Sequence, residues 1–124
     1  MVDYIVVFAG GGIGSVVRFM LATWIGQRWG RNFPLGTFAI NITGSFLIGF
    51  LMTLMSERFI ENPQWRLLLV VGGLGGYTTF STFQYETGKL VMDGELGYAV
   101  LNIVLSVAVG FAALKLGDVI AKLV

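Results

Sequence analysis

The run Gly72-Gly73-Leu74-Gly75-Gly76-Tyr77-Thr78-Thr79-Phe80-Ser81-Thr82-Phe83 lies inside an uncharged stretch bounded by Arg66 and Glu86. Its first half concentrates four glycines, each about 1 kcal/mol worse than alanine in a helix interior. Its second half carries four hydroxyls and two phenylalanine rings. Two readings stand: a helix broken at the glycines, or a continuous helix packed closely through them. Broken backbone at membrane depth is tolerated only where it is buried in protein or lines a cavity. Carbonyls freed there are natural cation ligands.

The flanking charges decide the medium. Arg31 to Glu57, Arg66 to Glu86 and Glu95 to Lys115 each enclose an uncharged block, and Asp3 to Arg28 encloses a fourth, interrupted only by Arg18. Each is near the 20 or so apolar residues that a membrane-spanning helix needs. The spacing predicts an all-α membrane protein, one domain over residues 1–124, with four spans at about 4–27, 34–56, 67–89 and 96–116. The connections are short: Gln27 to Phe33 carries Arg28 and Arg31, Glu57 to Arg66 carries Pro63, and Lys89 to Glu95 carries Asp93-Gly94. Met1-Val2-Asp3 lacks the positive n-region of a secretory signal, so the first span is expected to persist.

Composition narrows the chemistry. In 124 residues, 56% are hydrophobic and 12% charged, and mean hydropathy is +0.81. A soluble chain carries roughly 25% charged residues, so composition argues strongly against a soluble enzyme. Net charge is +1, which offers nucleic acid no electrostatic footprint. With no cysteine and no histidine, disulfides, thiolate chemistry and imidazole acid–base chemistry are absent.

Four spans would put both termini on one side, together with Arg58, Arg66, Lys115 and Lys122. The opposite side would hold Arg28, Arg31 and Lys89. Orientation normally follows an excess of Lys and Arg on the cytoplasmic side, and four against three is almost none. Either other factors fix one orientation, or the chain inserts both ways and pairs antiparallel with itself.

Several polar groups fall within spans. Arg18 is a permanent positive charge, placed either to attract anions or to snorkel to an interface. Asn41 offers two donors and one acceptor, for an interhelical bond or for a passing anion. Phe80 and Phe83 share a helix face if the helix resumes there, with Thr79, Thr82 and Glu86 on the neighbouring one. Hydroxyls donate to anions, and the edge of a phenyl ring is the positive end of its quadrupole. The same hydroxyls could instead bond their own i−4 carbonyls. Glu86 stands in a water-filled mouth or at the interface, and no second carboxylate lies within a span to form a proton relay.

Gly36-Thr37 with Asn41, Gly44-Ser45-Phe46-Leu47-Ile48-Gly49, Gly14-Ser15-Val16-Val17-Arg18, and above all Gly75-Gly76-Tyr77-Thr78-Thr79-Phe80-Ser81-Thr82-Phe83 with Glu86 together resemble the Fluc (CrcB) fluoride channels. The resemblance covers essentially the whole chain. It implies a dual-topology antiparallel homodimer in the bacterial plasma (inner) membrane, with two pores along the interface. It implies passive, fluoride-selective efflux that lowers the cytoplasmic fluoride brought in as neutral HF, and no enzymatic activity. Asn41 would be the pore-lining amide, and Phe80 and Phe83 the paired pore rings. Gly75 and Thr78 would offer backbone carbonyls to a central Na+ that is structural and not transported. Arg18 would be the vestibule arginine, with Glu86 at the same mouth. Thr37, Thr79, Ser81 and Thr82 would be further hydroxyl contacts.

Two positions depart from the family's pattern. Small hydroxyl residues are usual on span four near Gly110 and Leu114, neither of which is polar, and Asn102 and Ser106 are the substitutes at hand. Tyr77 stands where Leu is more usual, with little consequence expected where carbonyls are the ligands. Two rival readings are a small dual-topology multidrug exporter and a non-conducting membrane assembly protein. The exporter would need an acidic residue in span one, where this chain has Arg18.

Overall fold

The computed structural model describes residues 1–29, 32–58 and 62–124. Arg31, counted above among the loop cations, and residues 59–61 of the second connection lie outside them. Every regular element among the described residues is helical: α1 (Val2–Arg28), α2 (Leu35–Glu57), α3 (Pro63–Arg66), α4 (Gly75–Tyr77), α5 (Ser81–Met92) and α6 (Leu96–Leu123), with a π-helical run, Leu67–Leu74, joining α3 to α4. Among the described residues three helices, α1, α2 and α6, are long and apolar enough to cross a membrane. At 1.5 Å per residue the 27 residues of α1 reach about 40 Å.

The stretch expected as a third span, 67–89, is two helical pieces. The first starts at Pro63, where the side chain of Asn62 accepts a hydrogen bond from the Gln64 amide at 3.0 Å, and runs through the π segment to Tyr77. The second is α5. Between them Thr78 is extended, with φ −86° and ψ 156°. The break falls at Thr78, one of the two residues that the resemblance puts there, and not within the glycines: Gly72, Gly73, Gly75 and Gly76 are all helical. Packing overrides their low propensity. A Cβ on Gly72 would stand 2.7 Å from the Val7 carbonyl oxygen and 3.0 Å from the Gly11 amide. Cβ atoms on Gly10, Gly14 or Gly76 would run into the backbones of Leu68, Gly73 and Gly11. Lipid supplies no hydrophobic drive between helices, so close backbone approach is what holds such a pair together.

A second seam joins α2 to α6. A Cβ on Gly117 would stand 2.8 Å from the Phe50 amide, and Gly49 lies against the backbone of Leu114. The two pairs meet at Ile40, Leu74 and Tyr77, with Leu21, Ala22, Ile48 and Leu51 packed around them. The Thr43 hydroxyl donates to the carbonyls of Ala39 (2.8 Å) and Ile40 (3.0 Å), so the Tyr77 hydroxyl at 2.7 Å is left to donate to Thr43. Tyr77 is thus a hydrogen-bonded core anchor.

α5 turns back into α6 through Gly94, whose φ of +78° lies in the left-handed region. The Glu95 amide bonds the Leu90 carbonyl (2.8 Å) and the Gly94 amide bonds that of Val91 (3.1 Å), the paired closure of a glycine-ended helix. α6 runs on to Leu123, beyond the expected limit at 116. The outer surface is apolar, with Phe8, Phe19, Phe80 and Phe111 all exposed.

A candidate ion groove at the helix break

The break is made from a distance. Asn41, early in α2, exchanges two hydrogen bonds with the backbone of Thr79: its Nδ2 donates to the Thr79 carbonyl and its Oδ1 accepts from the Thr79 amide, both at 2.9 Å. The Thr79 amide is the one that would have continued the helix onto the Gly75 carbonyl. Three residues on, the Thr82 amide donates to Thr79 Oγ1 (3.3 Å), as at an N-cap, in place of the Thr78 carbonyl. Two interceptions therefore release two carbonyls, those of Gly75 and Thr78, and neither accepts a hydrogen bond from the described residues. The Thr78 hydroxyl turns back to the Leu74 carbonyl at 2.9 Å, so its proton is committed there.

Gly75 and Thr78 line an open groove of about 550 Å3 together with Asn41, Thr79, Phe80 and Phe83. Six of the residues expected at the site are therefore brought to one place. The two rings stand 5.7 Å apart, tilted by 45°. They differ in support: Phe83 is 9% exposed and Phe80 69%. The groove is completed from α6 by Ser106 and Val107. Gly110 and Leu114 are not part of it, since Gly110 faces Ile42 and Ser45 and Leu114 faces Gly49 within the α2–α6 seam. Of the two substitutes on α6, Ser106 lines the groove, while Asn102 is 1% exposed behind it.

Thr82 and Glu86 line an adjoining depression with Lys89, Asp93 and Glu95. Thr37 is buried. Ser81 is exposed and lines neither depression; its hydroxyl lies 3.5 Å from that of Thr79. Arg18 lines neither as well. It sits half-buried on the α1 side, where its Nε donates to the Gly76 carbonyl at 3.1 Å, another carbonyl left open by the break. Sequence reasoning missed Thr87 and Ser45. Both sit four residues after a site residue and bond its carbonyl: Thr87 that of Phe83, Ser45 that of Asn41, each at 2.8 Å. That i+4 hydroxyl spacing was the available signal.

The groove thus combines uncharged hard oxygens, the Asn41 amide and two phenyl rings on a low-polarity wall. Among the described residues no cluster of acidic side chains could hold a multivalent metal. The arrangement suits monovalent ions rather than bond-making chemistry.

Comparison with known proteins agrees. The chain is 46% identical over 119 residues to the fluoride-specific ion channel FluC of Solibacter usitatus, covering 96% of this chain and 98% of that one. It is 47% identical over 123 residues to the protein of the same name from Chlorobaculum tepidum, covering 99% and 97%. The protein so named in Acidobacterium capsulatum is 44% identical over 119 residues, covering 96% and 95%. These relatives are named as ion channels and not as enzymes. Residues 5–118 match the family described as "CrcB-like protein, Camphor Resistance (CrcB)", and the chain belongs to that family.

Proposed function

We propose that this protein is a subunit of a fluoride-selective channel that gives fluoride a passive way out of the cell and keeps its cytoplasmic concentration low. The observation that carries the reading is the groove at the break, where Asn41, Thr79, Phe80 and Phe83 converge on one uncharged path. Fluoride is compact and strongly hydrated, so a pore selects it by putting closely spaced donors in place of its water, as other filters do for their ions. The second Nδ2 proton of Asn41 serves as such a donor, its first being held by the Thr79 carbonyl, and the positive ring edges of Phe80 and Phe83 add to it. Arg18 favours anions near the path through its fixed charge.

The working unit is an antiparallel homodimer of four-span subunits in the bacterial plasma membrane, with residues 63–92 as the broken third span. The balanced loop charges support dual insertion. A groove open on one side, with a ring as exposed as Phe80, supports closure by a second copy. The carbonyls of Gly75 and Thr78 fit a structural sodium ion: they are hard, neutral and without other partners, and two copies would offer twice as many as one. Bound there, sodium would add a positive charge that holds the two breaks together.

An ion-selective electrode reading release from liposomes tests the function. Vesicles loaded with fluoride and carrying the purified protein should empty on addition of a potassium ionophore, while chloride-loaded ones stay full. Release no faster than from protein-free vesicles, or equal release of chloride, overturns the reading.

A further inference from the structure

A chain of hydrogen bonds leads from the groove into the interior and back to one of its rings. The Ser106 hydroxyl, in the groove wall, donates to Asn102 Oδ1 at 3.3 Å. Asn102 Nδ2 donates to Thr87 Oγ1 at 2.9 Å. The Thr87 hydroxyl donates its one proton to the Phe83 carbonyl at 2.8 Å. Asn102 is 1% exposed and Thr87 6%, so no water competes for these groups. A buried amide this deep in an apolar α6 is retained at a cost, and nothing in the seams requires it: α6 meets α2 through Gly49, Gly110 and Gly117, on other positions.

α5 needs such a tie. It is a short helix of 12 residues whose buried positions are Phe83, Thr87 and Leu90, one narrow stripe. It has no glycine seam, since Gly88 has open space around it. Its start is separated from the preceding helix by the extended Thr78. Without a fixed point on α6, α5 could rotate or slide, and the Phe83 ring would move with it.

We propose that Asn102 is a positioning residue for Phe83: acting through Thr87, it fixes the rotation of α5 on α6 and so the direction in which the Phe83 ring faces the groove. Its effect on flux rests on the fluoride-channel reading, while its effect on the ring does not. Ser106 contributes at the other end, holding Asn102 in the orientation that offers Nδ2 to Thr87.

The test places 4-fluorophenylalanine at position 83 and records its 19F resonance in the purified full-length protein, alongside fluoride flux from liposomes without the label. The parent protein should give one sharp resonance. Asn102→Ala and Thr87→Val should each shift or broaden it and lower flux about three- to twentyfold, the range that interhelical hydrogen bonds in membranes reach. Thr87→Ser, which keeps the hydroxyl, should restore both. The double variant Asn102→Ala/Thr87→Val should be no worse than either single one, because both break the same link. If Asn102→Ala does not fold, Thr87→Val against Thr87→Ser decides alone. An unchanged resonance in the variants, a Thr87→Ser protein as impaired as Thr87→Val, or losses that multiply in the double variant would overturn the proposal. A parent protein with a sharp resonance but no fluoride flux would instead count against the channel reading.

Discussion

Asn41 and Thr79 are locked together by two reciprocal hydrogen bonds of 2.9 Å, side chain to backbone in both directions, across 38 residues of sequence. That one clamp ends a helix, frees the Gly75 carbonyl, and fixes the amide in the groove wall. Asn41→Ala removes both bonds and strands the Thr79 amide and carbonyl, so it should destabilise the protein by about 2 kcal/mol in thermal unfolding in detergent and abolish fluoride flux. Asn41→Asp keeps an acceptor for the Thr79 amide but sets a negative charge on the path. It should lose flux more completely than stability.

The rings should separate in the same two measurements. Phe83 is buried and Phe80 exposed. Phe83→Ile should lower stability by about 1 kcal/mol, as a buried large-to-smaller change does, and flux as well. Phe80→Ile should lower flux, and any loss of melting temperature should come from the dimer, where a second copy covers the ring, and not from the packing of one subunit. Normal flux in both variants would remove the ring edges from the account.

The glycine seams predict a sharp split among equivalent substitutions. Gly14→Ala and Gly76→Ala drive a methyl group into facing backbone, and overpacking of this kind costs 1–3 kcal/mol or more; about that loss, or failure to recover monodisperse protein on gel filtration, is expected. Gly12→Ala and Gly26→Ala meet nothing within 4 Å and should be neutral or stabilising by up to about 1 kcal/mol.

Replacing all sodium with a bulky organic cation should inactivate the channel and lower its melting temperature. Thr78→Val should not alter that dependence. It removes only the hydroxyl bond to the Leu74 carbonyl, at about 1 kcal/mol of stability, and leaves the Thr78 carbonyl in place. Loss of sodium dependence in Thr78→Val would move the ligand from backbone to side chain.

Tyr77→Phe deletes the hydroxyl that donates to Thr43 in the core. It should lower the unfolding free energy by about 1 kcal/mol, with fluoride selectivity unchanged.

Helix lengths were legible in the sequence because charge is excluded from hydrocarbon, so Arg, Lys, Asp and Glu mark the ends of α1 and α2 to within a few residues. The start of α6 is equally clear at Glu95. Its end is not, because Lys115, Asp118 and Lys122 stay helical, with Asp118 paired to Lys122 at 3.3 Å and to Thr53 at 2.6 Å. The break was legible as a feature, but local propensity alone does not give its place. Local propensity points to Gly72–Gly76, whereas the helix stops at Thr78 because Asn41 intercepts the next amide, an influence no local window contains. The groove residues were legible through the family resemblance and not by type alone: hydroxyls and an amide in an apolar span also serve i−4 and interhelical hydrogen bonds, as Thr78 does to Leu74 and Asn41 to Thr79. The support behind them was not, because Asn102 and Thr87 lie 15 residues apart and meet only when α5 folds back through Gly94.

The bare seam between α1 and the π-helical segment also bears on how the chain is made. Ser15 and Gly76 are 61 residues apart, so at roughly 5–20 residues per second of synthesis α1 waits several seconds in the bilayer with its glycine stripe uncovered. Any other nascent segment with small residues at the same period could dock there first, which makes the interval between the two emergences the vulnerable step of biogenesis.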